Sequence, residues 1–117
     1  MHNFEKLLFW QKSMVLAKDL YLLTLEINKD EKFGLISQLK RAAVSIPSNI
    51  AEGSARKSNK EFGHFLDISL GSAFELQTQL ILTKELGLVN DEKKVSAILV
   101  NLSEIQKMIF TFKNNLK

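Results

Sequence analysis

Apolar residues recur at steps of three and four residues through four long stretches of this sequence, and the breaks between the stretches are short. Such spacing places apolar side chains along one face of an α-helix. The single proline and five glycines among 117 residues leave little material for the many turns of an all-β fold. The pattern therefore predicts an all-α protein that forms one domain over residues 1–117.

The helices are expected at about residues 7–27, 31–52, 59–86 and 91–116. Because the connections are short, consecutive helices should be antiparallel, as in an up-and-down four-helix bundle. Ser58 is a suitable N-cap for the third helix, and Glu61 completes a capping box. Gly53 and Gly87 lie where left-handed C-terminal caps are common.

The first helix carries more apolar residues than one core face requires. The residues spaced as its inner face are Trp10, Met14, Ala17, Tyr21 and Leu25. That face is widened by Leu16, Leu20, Leu23 and Ile27. The residues in excess of a single face are Leu8, Val15, Leu22 and Leu23. This excess favours contact with a second copy or another protein.

Pro47 lies inside the second predicted helix. Proline lacks an N–H, and its ring crowds the preceding turn, so it kinks or ends a helix. One interpretation ends the helix near Ser45 and restarts it with Pro47 in the first turn. The apolar spacing continues without a phase break from Leu39 through Ile46 to Ile50, which favours one helix kinked at Pro47.

A polar stripe runs beside the apolar face of the second helix. Its members are Gln38, Arg41, Ser45, Ser48 and Glu52. The stripe either faces water or contacts another helix. Because a lone buried charge is costly, we expect a charge partner for Arg41 within the chain, and Glu75 on the third helix is the candidate. The residues assigned to this structural polar network are Gln38, Arg41, Asn49, Glu52 and Glu75.

Composition limits the possible location and chemistry. The chain lacks cysteine, which excludes disulfides and thiolate metal sites and suits a reducing cytoplasm. The apolar run at the start is too short for a signal peptide, and no run approaches the roughly 20 residues needed to span a bilayer. We therefore expect a cytoplasmic protein without a membrane partner. A net charge of +3 permits nucleic-acid binding without requiring it.

Few residues could support catalysis or metal binding. His64, Asp67 and Ser69 could be imagined as a triad, but triads are defined by geometry rather than by proximity in sequence. Glu61 and His64 have the Glu-x-x-His spacing of a bundle di-metal site, but no second copy of that motif occurs. Motifs for zinc proteases, P-loops, dinucleotide turns and calcium loops are also absent. We therefore expect no enzyme activity, no metal site and no cofactor.

The stretch from Phe33 to Leu80 resembles the signature of the 23S rRNA intervening-sequence protein family. The specific elements are AAVSIPSNIAEG at residues 42–53, then Arg56, Ser58 and Glu61-Phe62, and finally GSAFEL at residues 71–76. FWQKSMVLAKDLYLLT at residues 9–24 is similar to the usual start of the family. Lys40 and Gln77 depart from the pattern, because many members have arginine and glutamate at these positions.

The resemblance implies a four-helix bundle that assembles into a homo-oligomeric ring, commonly a pentamer. Genes of the family lie within or near rRNA intervening sequences or stand alone, and a related group binds nucleic acid and a reverse transcriptase. The implied partners are further copies of the chain and rRNA or another nucleic acid.

Basic residues provide the candidate nucleic-acid contacts. Lys40 and Arg41 lie on the second helix, and Arg56, Lys57 and Lys60 surround the turn that follows it. Another group, Lys84, Lys93 and Lys94, should lie at the opposite end of the bundle. Lysines at helix ends can also simply be solvated. Two hypotheses result: a non-enzymatic ring that binds nucleic acid, or a homo-oligomeric scaffold for a protein partner.

Overall fold

Four long α-helices account for most of residues 2–117, the part of the chain that the computed structural model describes. They are α1 Leu8–Thr24, α2 Ser37–Ser54, α3 Asn59–Glu85 and α4 Glu92–Asn114. Each helix packs against the next one along the chain, and α4 packs back against α1. The predicted all-α, antiparallel four-helix bundle is confirmed.

The buried face of α1 differs from the prediction. Leu16, Leu20 and Leu23 are buried, whereas Met14 and Tyr21 are largely exposed. The true core face also includes Ser13 and Thr24, whose hydroxyls donate to the carbonyls of Trp10 and Tyr21 at 2.8 and 2.7 Å. These two polar residues interrupt the apolar spacing of the core face. The stripe that contains Met14 and Tyr21 has no such interruption, so the sequence pattern favoured it as the buried face.

The second helix begins later than predicted. A 3₁₀ turn at Lys29–Glu31 and a π-helical turn at Lys32–Ile36 precede α2. Gly34, within the π turn, has the non-helical backbone angles φ −105° and ψ −105°. The helix then continues through Pro47 to Ser54. The kink at Pro47 stays a prediction.

The two glycines expected as helix caps have different roles. Gly87 has a φ of +65° at the end of α3, which confirms the left-handed cap. The prediction for Gly53 was wrong, because this residue is buried inside α2. A Cβ atom at Gly53 would lie 2.5 Å from the Cβ of Phe65 and 3.0 Å from a ring carbon of Phe62. Glycine at this position therefore permits the close approach of α2 and α3.

Side-chain caps fix the beginnings of α3 and α4. The Ser58 hydroxyl accepts from the Glu61 N–H at 3.1 Å and donates to the Glu61 carboxylate at 3.3 Å. The Asp91 carboxylate accepts from the Lys93 N–H at 3.0 Å. These caps satisfy backbone donors that have no partner within the helix.

Helix α4 is long and apolar enough to cross a membrane when judged by length and composition alone. Core helices of globular proteins pass the same test, so this is weak support for a membrane span. In the bundle, α4 buries Val95, Ile98, Leu102, Ile105 and Ile109 against the other helices.

We predict that Gly53→Ala lowers the free energy of unfolding by about 2 kcal/mol, because the added methyl group has no room between α2 and α3. Gly71→Ala is the matched control, since a Cβ at that helical position meets nothing within 4 Å. The control should raise stability by about 0.5–1 kcal/mol through its higher helix propensity. Urea denaturation measures both effects. Equal stability of the two variants would contradict the close approach.

Candidate nucleic-acid interface

The α2–α3 turn, the chain start and the C-terminus meet at one end of the bundle, here called the turn end. The His2 backbone N–H donates to the Ser54 carbonyl at 3.0 Å, and the Asn59 side-chain amide donates to the Lys117 carbonyl at 2.6 Å. The α3–α4 turn lies at the opposite end. Arg56, Lys57 and Lys60 are therefore at the opposite end of a single copy from Lys84, Lys93 and Lys94.

At that opposite end, the Lys94 ammonium donates to the Glu26 carboxylate at 2.6 Å. This hydrogen bond, together with the charge of Glu26, raises the pKa of Lys94. Lys94 is therefore paired with Glu26, which lies in the connection between α1 and α2, and is not a free cation.

An aromatic cluster underlies the turn end. The Phe112 ring lies 5.1 Å from Phe9, 5.7 Å from Phe62 and 5.9 Å from His2, measured between ring centroids. Phe62 is buried and Phe112 packs against the core, so neither ring is free to stack on a base. Phe74 has the spacing of a core residue on α3, but it is exposed.

Arg56 is held against Phe65 at the start of the turn. Its guanidinium carbon lies 4.6 Å from the centroid of the Phe65 ring, within cation–π range. Its Nη2 also donates to the Glu52 carboxylate, one helical turn earlier, at 2.9 Å. Two contacts from different helices thus restrict the orientation of a side chain that remains 40% exposed.

Lys57 and Lys60 extend this positive charge along the surface. Both residues are exposed, and within residues 2–117 no carboxylate forms an ion pair with either. An open groove of about 590 Å³ lies beside Lys60. Its lining residues are Arg56, Ser58, Lys60, Glu61, His64 and Phe65.

Lys40 and Arg41 lie far from the turn. At 1.5 Å per residue, the helix separates Arg41 from Arg56 by about 22 Å. The Lys40 ammonium lies 4.7 Å from the centroid of the Tyr21 ring. Arg41 donates to Gln38 at 3.0 Å and to Glu75 at 2.9 Å. The structure thus divides the five predicted basic residues into two groups, and both members of the second group are engaged within the chain.

The predicted polar network also falls into separate clusters along α2. One cluster joins Gln38, Arg41 and Glu75, and another joins Glu52 to Arg56. Between them, the Asn49 side-chain amide donates to the carbonyl and the hydroxyl of Ser45 at 2.8 and 2.9 Å. The Arg41 and Glu75 side chains are 58% and 42% exposed, so this ion pair is at the surface of the bundle rather than partly buried.

Sequence reasoning missed two serine contacts between α2 and α3. Ser72 shares a hydrogen bond of 2.8 Å with Ser45, and the buried Ser69 hydroxyl donates to the Ile46 carbonyl at 2.9 Å. The contact of Ser69 could have been predicted from the sequence, because Ser69 has the spacing of the buried face of α3 and a buried hydroxyl requires a hydrogen-bond partner.

The residues considered for catalysis do not converge. His64 is exposed, Asp67 forms an ion pair with Lys113 at 2.6 Å, and Ser69 faces α2. Among residues 2–117, no group of three or more histidine, aspartate and glutamate side chains is placed to hold a metal ion.

Comparison with known proteins identifies the family. A sequence model of the 23S rRNA-intervening sequence proteins matches residues 5–111. The chain belongs to the 23S rRNA-intervening sequence protein family. The resemblance found in the sequence is therefore confirmed.

A solved structure shares the fold of this family member. It is the crystal structure of a protein of unknown function from the S23 ribosomal protein family of Bacteroides thetaiotaomicron. The two match with a TM-score of 0.82 and 24% sequence identity, over 92% of this chain and 96% of that chain. No curated protein matches the sequence.

We predict a coupling of about 0.5 kcal/mol between Arg41 and Glu75, because exposed ion pairs are well solvated. A double-mutant cycle with Arg41→Ala and Glu75→Ala, followed by urea denaturation of each variant at the same protein concentration, measures it. The exposed pair Lys12–Glu104 provides the matched control. A coupling above about 2 kcal/mol would contradict the assignment of Arg41 and Glu75 to a solvated surface.

Proposed function

We propose that this protein is a non-enzymatic, homo-oligomeric bundle that binds RNA or another nucleic acid in the cytoplasm through its turn end. The observation that carries the proposal is the exposure of Lys57 and Lys60 without carboxylate partners in the described chain, next to the restrained Arg56. Cations of this kind bind phosphates and release counterions from a nucleic acid. We assign Lys40 and Arg41 a smaller part, since each already has a partner within the chain.

Self-association would place several copies of Arg56, Lys57 and Lys60 in one assembly, which would strengthen nucleic-acid binding. Leu8, Val15 and Leu22 are 54%, 57% and 56% exposed and recur every seven residues along α1. An apolar stripe of this kind is suited to burial against another helix. Electrostatic affinity grows with the number of neutralised phosphates, so a ring of copies would bind far more tightly than one copy. The family resemblance leads us to expect a pentameric ring.

A scaffold for a protein partner is the second candidate function. The same stripe of Leu8, Val15 and Leu22 favours it, because an apolar helix face can bind another protein as readily as a further copy. In that case the lysines of the turn end would only be solvated. The two functions differ in whether the turn end binds nucleic acid at all.

We predict that Lys57→Glu/Lys60→Glu abolishes binding to structured RNA at low salt. The measurement is an electrophoretic mobility shift or fluorescence anisotropy titration at several salt concentrations. Lys18→Glu/Lys107→Glu is the matched control, since it changes the net charge equally at exposed lysines that form no ion pair within residues 2–117. The control should bind almost as well as the wild type.

Two results would contradict nucleic-acid binding at the turn end. The first is a wild-type protein that binds no RNA at low salt. The second is equal weakening by the two double variants, which would show a general charge effect rather than a local site. The scaffold function would be favoured by the first result together with a stable oligomer.

We predict that Val15→Glu/Leu22→Glu converts the oligomer to monomers at micromolar concentration, because two charges would enter the buried stripe. Native mass spectrometry counts the subunits directly. Val100→Glu on α4 provides a control at another exposed apolar residue, which should leave the subunit number unchanged. A wild-type protein that is monomeric under these conditions would contradict self-association.

A further inference from the structure

We infer that the turn end is specific for single-stranded nucleic acid. In this inference, one unpaired base stacks on the Arg56 guanidinium while neighbouring phosphates contact Lys57 and Lys60. The inference rests on the proposed function and specifies the class of nucleic acid that the same site binds.

The contacts of Arg56 make it suitable for stacking. Phe65 supports the guanidinium at 4.6 Å, and the Glu52 carboxylate binds Nη2 at 2.9 Å. The side chain nevertheless stays 40% exposed, so part of the planar group can still contact a ligand. Guanidinium planes stack on unpaired bases, and a side chain already held in place loses less entropy on binding.

The contacts that Arg56 makes within the fold do not satisfy all of its hydrogen-bonding groups. Its Nε atom is buried and has no hydrogen-bond acceptor within the described residues. Its ion pair with Glu52 is exposed and adds little stability. Arg56 therefore gains less from the fold than a fully bonded arginine would, and it is one of the residues that line the groove.

The groove beside Arg56 suits a base better than a phosphate. Its lining includes Glu61, whose carboxylate would repel a phosphate but can accept from an N–H group of a base, such as the N3–H of uracil. The ring of His64 offers further hydrogen-bonding atoms, and the Ser58 hydroxyl, which donates its proton to Glu61, can still accept. Lys60 lies on this lining, and Lys57 is the exposed residue that follows Arg56 in the turn. In this inference, both lysines bind phosphates of the strand whose base enters the groove.

A duplex would not satisfy this arrangement. The faces of paired bases are covered by their neighbours, and side chains cannot read the deep, narrow major groove of A-form RNA. Stacking on Arg56 requires a base that is free on one face, as in a loop, a bulge, an end or an unstructured strand. The site should therefore discriminate by strandedness and tolerate different sequences.

The test compares an oligouridylate of about 12 nucleotides with an RNA duplex of similar length, using fluorescence anisotropy of the full chain. The wild type should bind the single strand at least about tenfold more tightly. Arg56→Lys keeps the charge but loses the planar group, so it should weaken single-strand binding about tenfold with an almost unchanged salt dependence. Lys57→Ala/Lys60→Ala should instead reduce the slope of log affinity against log salt by about 1.4.

A second measurement reports stacking directly. An oligonucleotide with one 2-aminopurine should change its fluorescence on binding to the wild type, because the probe base leaves its stacked neighbours for Arg56, and this change should be lost on Arg56→Lys at saturating protein. Lys18→Ala/Lys107→Ala, at exposed lysines away from the turn end, should behave as the wild type in both measurements. Circular dichroism confirms that each variant is folded before binding is compared.

The outcomes separate this inference from the proposed function. Preference for the duplex would overturn stacking on Arg56 while leaving nucleic-acid binding intact. Single-strand binding and a 2-aminopurine fluorescence change that are both unaltered by Arg56→Lys would do the same. Absence of binding to either RNA would overturn both proposals.

Discussion

The close approach of α2 and α3 is the constraint on which the rest of the structure depends. These helices share the most extensive interface of the bundle. Gly53 faces Phe65 with no room for a Cβ atom, and short serine side chains form hydrogen bonds directly across the interface at Ser45–Ser72 and Ser69–Ile46. Such short bonds require closely spaced backbones. The register of the two helices is therefore set by small residues.

The same constraint builds the candidate site. Phe65 is the residue that excludes a side chain at Gly53, and it is also the surface on which Arg56 rests. A shift between α2 and α3 would thus separate Arg56 from its support as well as disturb the core. This link gives a physical reason why Gly53, Arg56 and Phe65 occur together in one sequence segment.

The fold could be predicted from the sequence because its signal is repeated many times. Each helix carries several turns of apolar spacing, and a single misread residue does not change the result. The buried face of α1 could not be predicted, since Ser13 and Thr24 become core residues by bonding to their own backbone. The role of Gly53 was missed for a related reason: glycine next to a helix end predicts a cap, and only the position of Phe65 shows that the constraint is space.

The candidate site was predictable as a group of basic residues but not as a geometry. Proximity in sequence joined Arg56, Lys57 and Lys60 correctly, yet helix length separates them from Lys40 and Arg41. The sequence suggests Glu75 as the partner of Arg41, but it does not show that Lys40 contacts Tyr21 or that Lys57 and Lys60 form no ion pair within residues 2–117. With a net charge of only +3, the total charge is too small to identify a binding surface. Among the five predicted basic residues, the distribution of partners favours Lys57 and Lys60 for the proposed phosphate contacts, because a cation already paired within the chain must give up that contact before it can bind a phosphate.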